Sequence, residues 1–476
     1  MGRGAATAGG TGMAADYLTP EARRENAAAL AGALGINIGD AAKALNLAIV
    51  VTADPADIVA QRIATEVVSL LSRTVQSVSA EERLENVAAE LVVGSATART
   101  DGTKIYVNVC GDRAVIGCGV QGAQACADTP AIFCLLVACY ASAATLHYAI
   151  GGTFPFGLPD PLSVEFDQFG IDSASIMQPL ELGRAYLAGA GAIGNGFLWA
   201  ARHLDIRGQL DIVDDDSVAP GNLNRQIWFE ADDISYSKVE RLAELAQPFF
   251  PHLKLVPRYC RLQDLPEKSD GPWLRRLIVA VDSRRARRSL QNEFPGEVFD
   301  ASTTDIREVV LHHHAQPTDS ACMSCIYEPD EEELSREQHI ADHLGISVDT
   351  VRGERISAAA AEAITRRFPK LVAAGLLGTA YDTLFKKLCA EGQLKAVADK
   401  QVVAPFAFVS VLAGTMLALD LVRWLGAERS ARGHNYWRIS PWNPPLARRR
   451  TLRPRQPRCV FCGNDVLRAV NVAIWR

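Results

Sequence analysis

A chain of 476 residues with 48% hydrophobic content is long enough for two or three domains, each with its own core. Its formal net charge of −6 excludes a nucleic-acid binder held by bulk positive charge. The longest apolar run, Ala131–Ile150, is interrupted by small and polar residues including His147, so no membrane span is expected.

Residues 1–16 are rich in Gly, Ala and Thr, lack the hydrophobic centre of a secretory signal, and read as a disordered start. Thr19 as cap and Pro20 in the first turn open a helix to Leu34. Leu45–Val51 reads as a buried strand, and Pro55–Val75 as a helix with Ile58, Val59, Ile63, Val67, Leu70 and Leu71 at helical spacing. Short apolar runs at Ala89–Val93, Lys104–Val109 and Ala114–Gly117 are further strands, and Thr129–Ile150 is a long apolar helix. The alternation predicts a parallel α/β unit over 17–175. Gly151–Pro179, rich in Gly, Pro and Asp, reads as a linker.

The richest stretch is Arg184–Lys238. The apolar run Ala185–Ala188 enters Gly189, Gly191 and Gly194, a GxGxxG turn, and a helix follows with Phe197, Leu198, Ala201 and Leu204 on one side. Gly189 permits the tight turn, Gly191 lets the backbone approach a phosphate, and Gly194 lets helix and strand pack. The helix N-terminus offers N–H groups to an anion. A second strand, Leu210–Val213, delivers Asp214 where a ribose-binding acid belongs. NLNRQ then supplies Asn222, Arg225 and Gln226, and Lys238 follows. Cations aimed past a first phosphate suit an enzyme that expels pyrophosphate, because charge builds on the leaving group. The strand Leu277–Val281 ends at Asp282. Eleven cysteines in so long a chain do not make a disulfide framework. Two CxxC pairs, Cys322/Cys325 and Cys459/Cys462, instead suit a tetrahedral, structural Zn²⁺ in a reduced cytoplasmic protein, with a redox pair as the lesser alternative.

GAGAIG, the DxD of Asp214 and Asp216, NLNRQ, Lys238 and Asp282 together resemble the adenylation domain shared by ubiquitin-activating (E1) enzymes and the bacterial ThiF and MoeB adenylyltransferases. The family has Asp-Asn where this chain has Asp282-Ser283. The resemblance implies a Rossmann-like α/β adenylation domain over 176–476, with a mostly parallel sheet and helices on both faces. Such domains work in pairs, so 17–175 is expected to be a degenerate, inactive adenylation-like half; an unrelated accessory domain is the rival.

The resemblance further implies ATP as substrate and Mg²⁺ on Asp282, with Arg225 and Lys238 steadying the pyrophosphate. It implies an arginine from the first helix at the triphosphate, Arg23 or Arg24, against the plainer reading of two surface charges. Arg287 matches a family arginine or is structural, and its neighbours Arg284, Arg285 and Arg288 read as a solvated basic face. The family has matching CxxC pairs. Residues 331–400 correspond to the helical insertion that carries the E1 nucleophile, and Cys389, beside Lys386 and Lys387, is its sole cysteine; a buried helix cysteine is the alternative. Cys260, Cys110, Cys118, Cys126, Cys134 and Cys139 read as small apolar residues. His312, His313 and His314 read as surface or pocket lining.

The expected partners are a ubiquitin-like protein and an E2-like conjugating protein, with a homodimer as a further option. Fourteen residues follow Cys462, too few for the ubiquitin-fold domain of eukaryotic E1 enzymes. The type most resembled is therefore the bacterial E1-like protein of antiphage ubiquitination-like (Bil) operons. A sulfur-carrier adenylyltransferase needing no Cys389, and a non-catalytic adaptor, are the competing functions.

Overall fold

The computed structural model describes residues 17–476 apart from 81–83, 121, 124–127, 330, 354, 380, 382–383, 386–387, 389–403, 427–432 and 447–448. Two expectations, the disordered start and Cys389 with its neighbouring lysines, lie outside the described residues, as does Cys126. The chain divides into two units, residues 1–326 with 403–476, and residues 327–402.

In the larger unit, α1 (Pro20–Leu34) starts as expected: Thr19 accepts from the Ala22 N–H, and Gly35 closes the helix at φ 68°. There follow α2 (Ile38–Leu45), β1 (Ala48–Ala53), α3 (Ile58–Leu71), β2 (Ser77–Ser79), β3 (Val87–Val93), β4 (Thr103–Cys110), β5 (Arg113–Gly117), α4 (Ala131–Ala149) and β6 (Leu162–Glu165). The strands form one sheet in the order β2-β1-β3-β4-β5-β6. The pairs among β1 to β4 are parallel, but β5 and β6 turn the sheet antiparallel, so it is mixed rather than parallel. The residues expected as a linker contribute its edge, because Leu162 and Val164 alternate inward against β5.

The second sheet is built from β7 (Leu180–Ala188), β8 (Ile206–Val213), β9 (Leu253–Arg258), β10 (Arg276–Val279), β11 (Glu297–Thr304), β12 (Glu308–Ala315), β13 (Tyr436–Ile439) and β14 (Arg450–Thr451). Between them run α5 (Ala192–Ala201), α6 (Lys238–Ala246), α7 (Arg284–Gln291) and α8 (Met323–Ile326). The order is β14-β13-β12-β11-β10-β7-β8-β9. β11-β10-β7-β8-β9 are parallel, and the rest are antiparallel. From β7 the chain winds outward through β8 and β9, then returns to β10 on the other side of β7. This is the doubly wound, Rossmann-like arrangement, and its crevice opens where the winding reverses, between β7 and β10.

Within the smaller unit, α9 (Glu331–Leu344), α10 (Val348–Arg352), α11 (Ala358–Arg367) and α12 (Ala373–Leu376) gather a core that includes Ile340, Leu344, Ile364 and Leu388. The insertion is thus helical where described. Back in the larger unit, α13 (Ala407–Leu425) follows, and α14 (Asp465–Trp475) lies near the end of the chain.

α4 and α13 are each 19 residues, long and apolar enough to cross a membrane, which corrects the expectation that no run qualified. Their apolar windows are 89% and 94% buried inside the protein, so both serve as core helices. α13 lies against α5 at a glycine crossing: a Cβ on Gly414 would stand 2.1 Å from the Gly196 carbonyl carbon. The backbones touch because neither residue has a side chain there.

Candidate nucleotide site and thiolate centre

β7 ends at Gly189, whose φ of +101° only glycine adopts easily, and a Cβ there would stand 2.8 Å from the Ala280 carbonyl beside it. A Cβ on Gly194 would strike the Gly189 oxygen at 2.1 Å. Gly191 differs: a Cβ there meets nothing within 4 Å, and its φ of −74° suits any residue. Gly189 and Gly194 are therefore glycines for the fold, and Gly191 faces open space. Gly191 is also the N-cap of α5 and provides no side-chain cap, which leaves the helix's first N–H groups toward that space.

Of the sequence-predicted residues, Asp214, Lys238 and Asp282 are tied to this turn directly or through one another, while Asn222 and Gln226 are bonded or buried elsewhere in the 220–226 segment. Asp214 leaves β8, and its carboxylate accepts from Ala190 N at 2.7 Å and Asp216 N at 2.9 Å. The acid expected to hold a ribose thus also braces the glycine turn. Burial pushes its carboxyl above the usual range, against the charge of Lys238. Lys238 opens α6 and donates to Asp216 Oδ2 at 2.8 Å. Asn222 closes its own 3-10 turn, accepting from Ala219 N at 3.0 Å, and Gln226 is buried.

Arg225 donates to Asn224 Oδ1 at 2.6 Å, Gly221 O at 3.0 Å and Glu25 Oε2 at 3.4 Å. Burial pulls its pKa below the usual value, while the charges of Glu25 and Asp282 oppose that shift. Arg225 and exposed Asp282 therefore share one electrostatic environment, with Asp282 at the exit of β10 across from Gly189. An oxygen ligand exposed at that strand end fits a divalent cation that would neutralise phosphate.

The first helix meets the site differently from the expectation. Arg23 donates to Leu18 O and Gln76 within its own half, and Arg24 is an exposed partner of Glu21. The residue of α1 that reaches Arg225 is Glu25.

Other assignments change as well. Arg287 is 2% exposed and donates to Asp300 at 2.9 Å and Ala301 O at 2.7 Å, which makes it structural and removes it from the basic face. His312, His313 and His314 are buried in β12 rather than at a surface, and His312 and His313 line a small pocket, the other reading of the sequence. His312 Nε2 meets Ala321 O at 2.9 Å, and His313 stacks on Trp424 at 3.7 Å. Cys260 lies beyond β9 and is half-buried, and Cys110 is exposed; among the described residues of this set, Cys134 and Cys139 are fully buried and Cys118 packs half-buried against the same core.

Sequence reasoning missed Asn195. Fully buried on α5, its Nδ2 donates to Ala190 O at 2.9 Å and Gly191 O at 3.0 Å, so it ties down the glycine turn. A polar residue among Ile193, Phe197 and Leu198 was the available signal.

Cys322, Cys325, Cys459 and Cys462 converge, buried, with all four sulfurs within 4.8 Å of one another. Cys322 Sγ lies 3.8 Å from Cys325 and 3.7 Å from Cys459, and Cys325 lies 3.2 Å from Cys462. A tetrahedron of Zn–S bonds about 2.3 Å long has sulfur–sulfur edges of roughly 3.8 Å, so the cluster fits a four-thiolate ion with no open position. The Gln456 N–H points at Cys325 Sγ at 3.3 Å, as backbone donors do around metal thiolates. These residues would hold Zn²⁺ and tie residues 459–462 to α8.

The model of the ThiF family matches residues 163–461, and that of the E1 N-terminal domain matches residues 19–172. The chain belongs to the ThiF family of E1-like adenylyltransferases. An uncharacterised protein of Sinorhizobium fredii (strain NBRC 101917 / NGR234), y4jF, is 28% identical over 272 residues, 53% of this chain and 51% of that protein. The NEDD8-activating enzyme E1 catalytic subunit of Dictyostelium discoideum is 30% identical over 142 residues, 29% of each. Its Drosophila melanogaster counterpart is 31% identical over 102 residues, 21% of this chain and 22% of that one. The chain thus spans about half the length of the first relative and under a third of the others. The crystal structure of E. coli MccB with ATP aligns over 75% of this chain and 98% of that one, at a TM-score of 0.37 and 14% identity.

Proposed function

We propose that this chain adenylates the C-terminal carboxylate of a ubiquitin-like protein with ATP, takes the acyl group as a thioester on Cys389, and hands it to an E2-like protein. The observation that carries the reading is the crevice between β7 and β10. A bare helix N-terminus, an open Gly191, Arg225 and Asp282 meet there, and Lys238 stands at the head of α6.

In this reading the α5 N–H groups receive a phosphate. Asp214 accepts from the ribose. Arg225 exchanges Glu25 for the triphosphate, and with Lys238 it stabilises the charge that builds on departing pyrophosphate. Asp282 holds Mg²⁺, which supplies charge neutralisation when bound. The carrier's carboxylate oxygen attacks the α-phosphorus, the bond to the β-phosphate oxygen breaks, and pyrophosphate leaves. The Cys389 thiolate then attacks the acyl carbon and expels AMP. The E1 N-terminal domain match over residues 19–172 supports a first half that partners the adenylation half, read here as inactive. A cytoplasmic setting like that of Bil-type operons belongs to the same proposal.

Exchange of labelled pyrophosphate into ATP with candidate carriers tests the first step. Arg225→Ala or Asp282→Ala should lower it on the order of 10²–10³-fold. Cys389→Ala should keep exchange and lose a reducible carrier adduct on a non-reducing gel. A persisting adduct would remove Cys389 from the mechanism, and wild-type exchange without any adduct would favour the sulfur-carrier type.

A further inference from the structure

Three polar residues of the first half are buried where apolar ones are expected: Asn26 on the inner stripe of α1, Glu66 on that of α3, and Arg73 just beyond α3. All three face the second half. Glu66 accepts from Trp199 Nε1 at 2.8 Å and pairs with Arg202. Arg73 does something more specific. It is 2% exposed, and its guanidinium reads three main-chain carbonyls of the segment that carries Arg225. Nη1 donates to Leu223 O at 2.7 Å, and Nη2 donates to Ile227 O at 2.9 Å and Phe229 O at 3.0 Å.

The guanidinium is held from behind. It lies 4.1 Å from the centre of the Tyr17 ring. Asn26 Nδ2 donates to Arg73 O at 2.8 Å, and Asn26 Oδ1 accepts from Asn224 Nδ2 at 2.8 Å. Burial pulls the Arg73 pKa down to about 10, so it stays charged at neutral pH.

The gripped segment is hydrogen-bonded to the glycine turn through Asn195. Trp228, between two of the gripped carbonyls, donates from its backbone N to Asn195 Oδ1 and from Nε1 to Asn195 O, each at 3.2 Å. Asn195 in turn holds the carbonyls of Ala190 and Gly191. Hydrogen bonds joined by the backbone of 227–229 thus run from Arg73 through Trp228 and Asn195 to the glycine turn, and a side branch through Asn26 and Asn224 reaches Arg225.

We infer that Arg73 is a positioning residue for the nucleotide site, supplied by the first half to hold the 223–229 segment so that Arg225 and the glycine turn meet one triphosphate together. The inference rests on the adenylation reading. Its chemistry requires arginine: three carbonyls at different angles match a planar fork of five N–H donors, whereas an ammonium is a single point charge.

The test uses the full chain as Arg73→Met, and as Arg73→Lys should the first variant fail to fold, with binding of a fluorescent ATP analogue, amide hydrogen exchange and pyrophosphate-exchange kinetics. Without nucleotide, amides of 220–230 should lose protection at least tenfold while β8 and β9 keep theirs. The analogue should bind at least tenfold more weakly, the KM for ATP should rise, and the KM for the carrier should stay within twofold. Lost loop protection with unchanged ATP affinity overturns the positioning role, as does unchanged loop protection. A wild-type chain that binds no ATP analogue removes the adenylation reading itself, and the inference with it, which is a different outcome from equal binding by wild type and variant.

Discussion

The two sheets meet the same task, turning a parallel strand into a helix, in opposite ways. β1 leads through Asp54-Pro55-Ala56 to Asp57, whose carboxylate accepts from Ala60 N and caps α3. The helix dipole there is met by the chain's own anion, in a buried position. β7 leads to Gly191, which caps α5 with nothing. One helix start is satisfied and repels a phosphate; the other is left for a ligand to complete. The first half, with its helix start closed, reaches across to the second with Arg73, Asn26 and Glu66.

Four manipulations sharpen or break this contrast, in descending order of effect. Stripping the metal from the four-cysteine centre should cost several kcal/mol, because the site joins distant segments of the second sheet's half alone. A strong chelator should release about one Zn²⁺ per chain and lower Tm, with amide protection lost at 450–475 but retained in β1 and β3. No bound metal in purified protein would contradict the assignment. Gly191→Ala should leave Tm unchanged, because the space above it is open, yet weaken ATP by roughly 2–3 kcal/mol, the scale of one lost phosphate-facing contact. Equal loss from Gly191→Ala and Gly194→Ala in a melting experiment would erase the distinction drawn between them.

His203, pushed down to about 3 by burial and the charges of Arg202 and Arg62, lies beside the contact between the halves. Its folded pKa is depressed, so the unfolded chain binds the extra proton, and stability falls as pH drops below about 6.5. Urea melts should show the loss by pH 4.5, and His203→Gln should recover ~1–2 kcal/mol of it, discounted for partial exposure. Smallest of the four, Asp57→Ala should cost about 1 kcal/mol of stability and leave ATP affinity unchanged. Reduced ATP affinity would mean that the first half's helix start takes part in binding.

Much of the second half was legible because its signals are local. The glycine turn, the carboxylates at strand ends and the CxxC pairs each declare themselves within a few residues, and the structure brings them together. What stayed hidden depends on contacts across long separations. Arg73 meets its carbonyls 150 to 156 residues away, and Glu25 meets Arg225 across 200. Arg23 and Arg24 are candidates for the site as cations on the right helix, against the plainer reading of two surface charges; the geometry gives that approach to acidic Glu25. The histidines at 312–314 read as surface or pocket lining; side chains packed on the faces of β12, such as Trp424 stacked on His313, bury them, and His312 and His313 line a small pocket. Polar residues set into an apolar stripe, such as Asn26, Glu66 and Asn195, were the available hint, and they mark where two elements lock.

The central claim is that Arg225 waits on Glu25 until a triphosphate displaces it. A crystal structure with a non-hydrolysable ATP analogue tests this directly. The account predicts phosphate over Gly191 and the α5 N-terminus, the ribose at Asp214, and Arg225 moved from Glu25 onto the phosphates. Analogue bound elsewhere, or bound there with the Arg225–Glu25 pair intact, would contradict it.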